Sequence, residues 1–392
     1  MTASQGPRAA YVYAPAMSQH VLRDDHPMRP MRLQFAYELL DSLGAFQLTE
    51  SVLVDPRPAT EEELLTAHGA GYVEAVRRFS TGGPRGDAAR YGFSDLGDNP
   101  VYGGMYDAAA LVTGASIQAA ELIAEGRVLA AFNPSGGLHH AMASNASGFC
   151  VFNDPAVAIN TLRRRGLRVA YVDIDAHHGD GVQAAFYDDP NVLTVSLHES
   201  GRYLFPGTGD TDETGVGAGE GYAINLPLLP YTGDDVYVEV FDALVPPLLE
   251  AFQPDVLATQ LGIDTHFMDP LTHLALTSHG YLQVVERLGG MGYPWLAFGG
   301  GGYYLSAVAR CWALAYGVML GHQWPGALPT AASEALDGGT LLHDEESPSE
   351  DDALQRQARE FAYEGVQALR RTKLLAARKP GGGTRHLGIA EP

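Results

Sequence analysis

The chain has 392 residues, of which 25 are Lys or Arg and 47 are Asp or Glu, a net charge of −22. Protonating all 14 histidines (−22 + 14) still leaves −8. Such a chain lacks the cationic face that releases counterions from phosphates, which excludes nucleic acid and anionic membrane as expected partners, and its self-repulsion favours a monomer or weak oligomer.

In chain order, a strand at Ala10–Tyr13 precedes helical patterns at Met28–Leu43, Glu61–Phe79 and Tyr106–Glu125. A strand at Val128–Phe132, a helix at Asp154–Arg165 and strands at Arg168–Asp173, Asn191–Leu197 and Tyr222–Leu226 follow. The rest of the body reads as helix Asp234–Ala251, strand Val256–Leu261, helix Thr277–Leu288, strand Trp295–Phe298 and helix Tyr304–Met319. Asp154 and Thr277 are read as helix starts. Several strands are apolar on successive residues, as in strands covered on both faces. The alternation predicts one α/β domain over residues 1–320 with a mainly parallel sheet.

Residues 321–392 form a C-terminal extension. Its acidic segment Leu336–Asp352 reads as a solvated loop. A helix over Ala353–Leu375 is expected to dock on the body through Leu354, Phe361, Val366 and Leu369, with Arg356 paired to Glu360. Cys150 and Cys311 are too few for a disulfide framework, so a reducing compartment, the cytoplasm, is expected. No apolar run approaches the ~18 residues of a membrane span. The N-terminus lacks the pattern of a signal peptide.

The chemistry concentrates where strands end. Strand side chains alternate faces, so Asp173, Asp175 and His177 in the run from Val169 to Gly181 share one side. Delivering two carboxylates and an imidazole to one spot is costly without coordination, and the C-terminal ends of parallel strands are where α/β enzymes build sites. Asp175 and His177 thus read as metal ligands, and Asp264, at the end of another apolar strand, is the best third. His266 and His273 nearby are weaker candidates. His139-His140 follow a glycine-containing turn and suit acid–base work beside a metal. Gly299–Gly302 precede Tyr303 without the GK[ST] of a phosphate loop; they project a phenol able to donate to a developing oxyanion. Phe149 and Phe205, both beside glycines, suit the walls of a narrow channel.

Taken in order, DDHPMRPMR (24–32), GDNP (97–100), GGLHHA (136–141), ASGFCVFND (146–154), YVDIDAHHGDGVQAAF (171–186), TVSLHE (194–199), FPGTGD (205–210), QLGIDTHFMDPL (260–271) and GGGGY (299–303) resemble the zinc-dependent histone deacetylase superfamily. The likeness extends in particular to its class I enzymes and the bacterial acetoin-utilization deacetylases.

The resemblance implies an eight-stranded arginase/deacetylase-like sheet and a metal-dependent hydrolase of N-ε-acetyl-lysine, with an acetylpolyamine amidohydrolase as the alternative. It implies Zn2+ at Asp175, His177 and Asp264, a donor set that also suits Fe2+. His139 and His140 would be the catalytic pair, with Asp173 and Asp180 as carboxylate partners, and Tyr303 would polarise the carbonyl. Phe149, Phe205, Gly148, Leu271 and Gly301 would line the substrate channel, with Asp98 at its rim and Arg32 near an internal acetate pocket. A structural K+ would take Asp173, Asp175, His177, Ser196 and Leu197, and a second K+ Phe186 and Tyr222. The implied partner is an acetylated protein, by analogy a metabolic enzyme such as acetyl-CoA synthetase. Met142–Asn145 and Tyr304 depart from the family pattern.

Overall fold

The computed structural model describes residues 6–19, 21–336, 338–348 and 351–372. Eight strands form one sheet: β1 (Ala9–Val12), β2 (Ser51–Val54), β3 (Ala130–Asn133), β4 (Val169–Asp173), β5 (Val192–Glu199), β6 (Ala223–Leu228), β7 (Val256–Gln260) and β8 (Trp295–Phe298). Their order is β2-β1-β3-β8-β7-β4-β5-β6, and every pairing is parallel. Seven strands lie within a few residues of their sequence-predicted positions. β2 was not expected; it is a half-exposed edge strand, too short to show a period.

Residues 200–222, between β5 and β6, hold only a 3-10 turn; the other six links between consecutive strands carry α-helices, the usual route to parallel pairing. The first four are α1 (Met31–Ser42), α2 (Glu61–Leu64), α3 (Ala70–Ser80) and α4 (Met105–Ala124). Then come α5 (Asp154–Arg164), α6 (Asp180–Ala185), α7 (Asp234–Phe252), α8 (Ser278–Gly290) and α9 (Leu305–Leu320). The single helix expected over 61–79 is broken into α2 and α3, because His68 turns inward and Gly69 caps α3 in extended geometry. Asp154 is not a cap: Asn153 caps α5, accepting from the Ala156 N–H, and Asp154 faces the other way. Thr277 does cap α8.

The main core lies between the sheet and its helices, with Trp312, Tyr11, Phe132 and Phe241 fully buried. A second cluster, built on Tyr72, Phe79 and Phe152, packs α3 against α4 and α5. None of the described helices is long and apolar enough to cross a membrane.

The extension folds onto this body with two helices, α10 (Thr330–Ala335) and α11 (Asp352–Leu369). α11 buries the stripe Ala358, Ala362, Val366 and Leu369 on α7 and β6. Leu354 is 42% exposed, since it lies one turn before that stripe begins. Arg356 does not pair with Glu360; Arg359 instead meets Glu239 of α7 at 2.9 Å. The acidic loop is not simply solvated, because Asp344 turns inward to Arg310. The predicted helix end at 373–375, with Lys373 and Lys379, lies outside the described residues.

His68 joins the second cluster to the loop that follows His140. Its Nδ1 donates to the Met142 carbonyl at 3.0 Å, and its Nε2 accepts the Asn153 N–H at 2.9 Å. Burial lowers its pKa to about 4, and the Met142 and Ala143 carbonyls only partly oppose this. An unfolded histidine titrates near ~6.5, so below that pH the unfolded chain takes a proton that the folded chain refuses. This contribution to stability is therefore intact above pH ~6.5 and declines down to pH ~4, by about 3 kcal/mol at ~1.4 kcal/mol per pKa unit. The stability advantage of wild type over His68→Gln, from denaturant unfolding, is expected to shrink by about that amount between pH 7.5 and 4. An advantage independent of pH would refute the assignment.

Candidate metal centre and active site

β3, β8, β7 and β4 are neighbours in the sheet, and their C-terminal ends deliver the candidate residues to one place. β3 leads to His139 and His140, β8 to Tyr303, β7 to Asp264, and β4 to Asp175 and His177. Asp173 and Gln260 are register partners across β4 and β7, so the two acidic loops start side by side.

At the floor, one ligand atom each from Asp175, His177 and Asp264 lie within 4.8 Å of one another. His177 Nδ1 is 3.2 Å from Asp175 Oδ1 and 2.9 Å from Asp264 Oδ2. The remaining carboxylate oxygens are taken up by the backbone. Gly301 N–H donates to Asp175 Oδ2 at 2.7 Å, and Ala176 N–H to Asp264 Oδ1 at 2.8 Å. Burial alone would push the imidazole pKa down, yet hydrogen bonds and charge from Asp175 and Asp264 hold it well above the usual range. Burial and the Asp175 charge raise Asp264 to about 7, while Asp175 stays ionised. Two oxygens and one nitrogen thus converge on a point that already stabilises positive charge. That donor set fits a divalent cation with an open position.

Above it stand the tandem histidines. His139 Nδ1 is 2.8 Å from Asp173 Oδ2, which also accepts from the Tyr171 hydroxyl. His140 Nδ1 is 2.7 Å from Asp180 Oδ1, and the two Nε2 atoms face each other at 3.0 Å. Burial lowers both imidazoles, but Asp173 and Asp175 reverse the effect on His139 and raise it to about 9. His140, buried beside the cationic His139 and His177, falls well below its usual value. One proton between the two Nε2 atoms satisfies both directions, with His139 as its holder.

A cavity of about 200 Å³ opens onto these groups, lined by His139, His140, Asp175, His177 and Tyr303. Gly148, Phe149, Phe205, Leu271 and Gly301 complete its walls, and exposed Asp98 sits at the mouth. Phe205 packs edge-on against His140, with ring centroids 5.0 Å apart, and Phe149 against Tyr303 at 5.8 Å. Phe149 holds φ at 69°, a left-handed conformation unusual for a bulky residue. Gly148 before it has no room for a side chain, since a Cβ would overlap the His140 ring. Burial, then the charges of Asp264 and Asp175, keep the Tyr303 phenol protonated.

Arg32 stands apart from this pocket. It donates to the Gly302 carbonyl at 3.1 Å and lines a second cavity of about 90 Å³, which shares Leu138 and Phe149 with the first. Among the residues matched to potassium, Asp173 and Ser196 are register partners on β4 and β5. Leu197 offers its carbonyl to the Tyr237 hydroxyl. Phe186 ends α6, and Tyr222 packs on Phe252. His266 is buried but turns to Asp344, and half-exposed His273 bonds to Glu199, so neither joins the metal set.

Sequence reasoning missed three residues that hold the site in shape. Asp154 accepts the Gly137 and Leu138 N–H groups and so fixes the turn before His139. Asp269 accepts the Tyr303 N–H at 2.7 Å and the Leu271 N–H at 3.0 Å. Gln260 donates to the Gly137 carbonyl at 2.8 Å. An apolar strand ending in a glutamine was the one local signal available.

A Cβ at Gly301 would overlap Asp264 Oδ2 and Asp175 Oδ2, whereas one at Gly71, inside α3, meets nothing. Gly301→Ala is expected to weaken divalent-metal binding by about 10–100-fold, measured by competition with a chelating dye. Gly71→Ala should bind as wild type. Equal affinities for Gly301→Ala and wild type would place the metal elsewhere.

Comparison with known proteins agrees with this geometry. Residues 26–319 match the model of the histone deacetylase domain. The acetoin utilization protein AcuC of Bacillus subtilis (strain 168) is 39% identical over 353 residues, covering 84% of this chain and 90% of that protein. AcuC of Staphylococcus aureus (strain MSSA476) is 40% identical over 314 residues, 78% of this chain and 80% of that one. The crystal structure of an HDAC homolog from Aquifex aeolicus superposes with a TM-score of 0.82 at 32% identity, over 91% of this chain and 99% of that one. A structure of an HDAC homolog complexed with SAHA gives the same values.

Proposed function

The chain belongs to the histone deacetylase domain family, and from that premise we propose that it hydrolyses the acetyl amide of N-ε-acetyl-lysine on a protein, giving lysine and acetate. The observation that carries this reading is the cavity itself. Two aromatic walls lead to an Asp-His-Asp cluster, with two imidazoles on one side and a phenol on the other. A linear acyl-lysine side chain suits such a channel.

Asp175, His177 and Asp264 would hold a divalent ion such as zinc, which when bound would supply Lewis-acid polarisation of the carbonyl and lower the pKa of water. Fe2+ suits the same donors. The remaining tasks fall to side chains. Phe149 and Phe205 flank the aliphatic stem and exclude water. Asp98 accepts a hydrogen bond from the substrate backbone at the rim. His140, held neutral, accepts the proton of the attacking water at Nε2 once that lone pair turns from His139 to the water. Tyr303 donates its hydroxyl hydrogen bond to the carbonyl oxygen as negative charge builds there. The imidazole pair then delivers a proton to the departing lysine nitrogen as the C–N bond breaks. Asp173 and Asp180 keep both rings oriented with Nε2 toward the reaction. The net charge of −22 favours a basic segment around the acetylated lysine.

The zinc-loaded protein is expected to hydrolyse an acetyl-lysine peptide in preference to an acetylated polyamine. Tyr303→Phe should lower kcat by about 10²–10³-fold with little change in KM, because the lost hydrogen bond strengthens only in the transition state. Hydrolysis of neither substrate would sink the proposal. Preference for the polyamine would move the chain to the acetylpolyamine amidohydrolase alternative.

A further inference from the structure

The extension beyond residue 320 lies past the family segment 26–319, yet at one point it enters the body. Asp344, from the loop between α10 and α11, reaches a pocket formed by α8, α9 and the loop after β7. Its Oδ1 accepts from Arg310 at 2.8 Å. Its Oδ2 accepts the Ser278 N–H at 2.7 Å and lies 2.9 Å from His266 Nε2. The Asp344 N–H donates back to Ser278 Oγ at 2.8 Å, and Arg310 also reaches the Leu342 carbonyl.

His266 is 1% exposed. Its Nδ1 accepts the Met268 N–H at 3.2 Å, so Nε2 carries the hydrogen given to Asp344. His266 therefore bridges the extension to the loop that begins at Asp264. Within that loop the His266 carbonyl accepts the Asp269 N–H at 2.8 Å, and Asp269 in turn holds the backbone of Leu271 and Tyr303. The Thr272 hydroxyl closes the loop on the Asp264 carbonyl.

We infer that Asp344 is a positioning residue for the active site: from the C-terminal extension it clamps the 264–272 loop and so keeps Asp264, Leu271 and Tyr303 in place. This rests on the roles given to those residues above. Without Asp344, Arg310 (6% exposed) would be a buried cation without its carboxylate, and His266 would lose its acceptor. Among the described residues, the carboxylate that pairs with this buried charge of the body comes from the extension, which makes the extension part of the enzyme rather than an appendage.

Hydrogen–deuterium exchange and steady-state kinetics on the full chain test this. In Asp344→Ala, amides of residues 264–272 are expected to exchange at least about tenfold faster, while those of 146–152 on the opposite channel wall keep the wild-type rate. kcat should fall about tenfold with KM within about twofold, since the damage is to orientation of Tyr303. Asp344→Asn keeps an acceptor for the Ser278 N–H and should recover part of both losses. Arg359→Ala, which removes an exposed α11 contact outside this network, should leave both readouts unchanged. Unaltered exchange at 264–272, or equal acceleration on both walls, overturns the inference. If Asp344→Ala does not fold, the same criteria apply to Asp344→Asn. An inactive wild type would overturn the deacetylase reading alone, since exchange still decides this one.

Discussion

Moving a carboxylate out of water costs several kcal/mol unless donors replace its hydration. Asp154, Asp173, Asp175, Asp264 and Asp269 are all buried at one end of the sheet. Each meets the requirement with backbone N–H groups, and those groups belong to the loops that carry the chemistry. Asp154 holds the turn before His139. Asp175 holds Gly301, two residues before Tyr303. Asp264 holds Ala176, next to His177, and Asp269 holds Tyr303 itself. Desolvation thus becomes a positioning device, because a loop that drifted would expose an unsatisfied anion to an apolar interior.

The same crowding sets the electrostatics. So many carboxylates in a small volume favour any cation that can join them, which is why His139 and His177 are raised against the effect of burial. His140 differs from His139 by a single position in the chain, yet it is held neutral. Its neighbours are cationic imidazoles, and its own partner Asp180 is itself raised to about 6 by burial. Two adjacent histidines therefore receive opposite protonation states from their surroundings, as a donor and acceptor working on one proton require.

Much of this was legible in the sequence because parallel strands end where sites form. The run from Val169 to Gly181 declares its own strand, its facing side and its ligands. Asp264 and Tyr303 are legible by the same rule, at the ends of strands with little polar competition. Asp154, Asp269 and Asp344 were not, because their partners lie 17, 34 and 66 residues away and no local pattern connects a carboxylate to a distant N–H. Asp344 was the most misleading, since an aspartate in an acidic, proline-containing stretch reads as solvated until the buried Arg310 is found opposite it. β2 and the break at His68 escaped for a related reason. Four half-exposed residues show no periodicity, and the inward turn of His68 is dictated by contacts with Met142 and Asn153.

The left-handed backbone at Phe149 bears on how the channel keeps its wall. An aromatic residue there carries about 1–3 kcal/mol of conformational strain, which a glycine would relieve. The ring offsets that strain through its packing on His26 and Tyr303, at centroid distances of 4.5 and 5.8 Å, so the same contacts that wall the channel also hold the turn in its left-handed form. A substitution that loosens either neighbour therefore releases the Gly148–Phe149 turn as well as the channel.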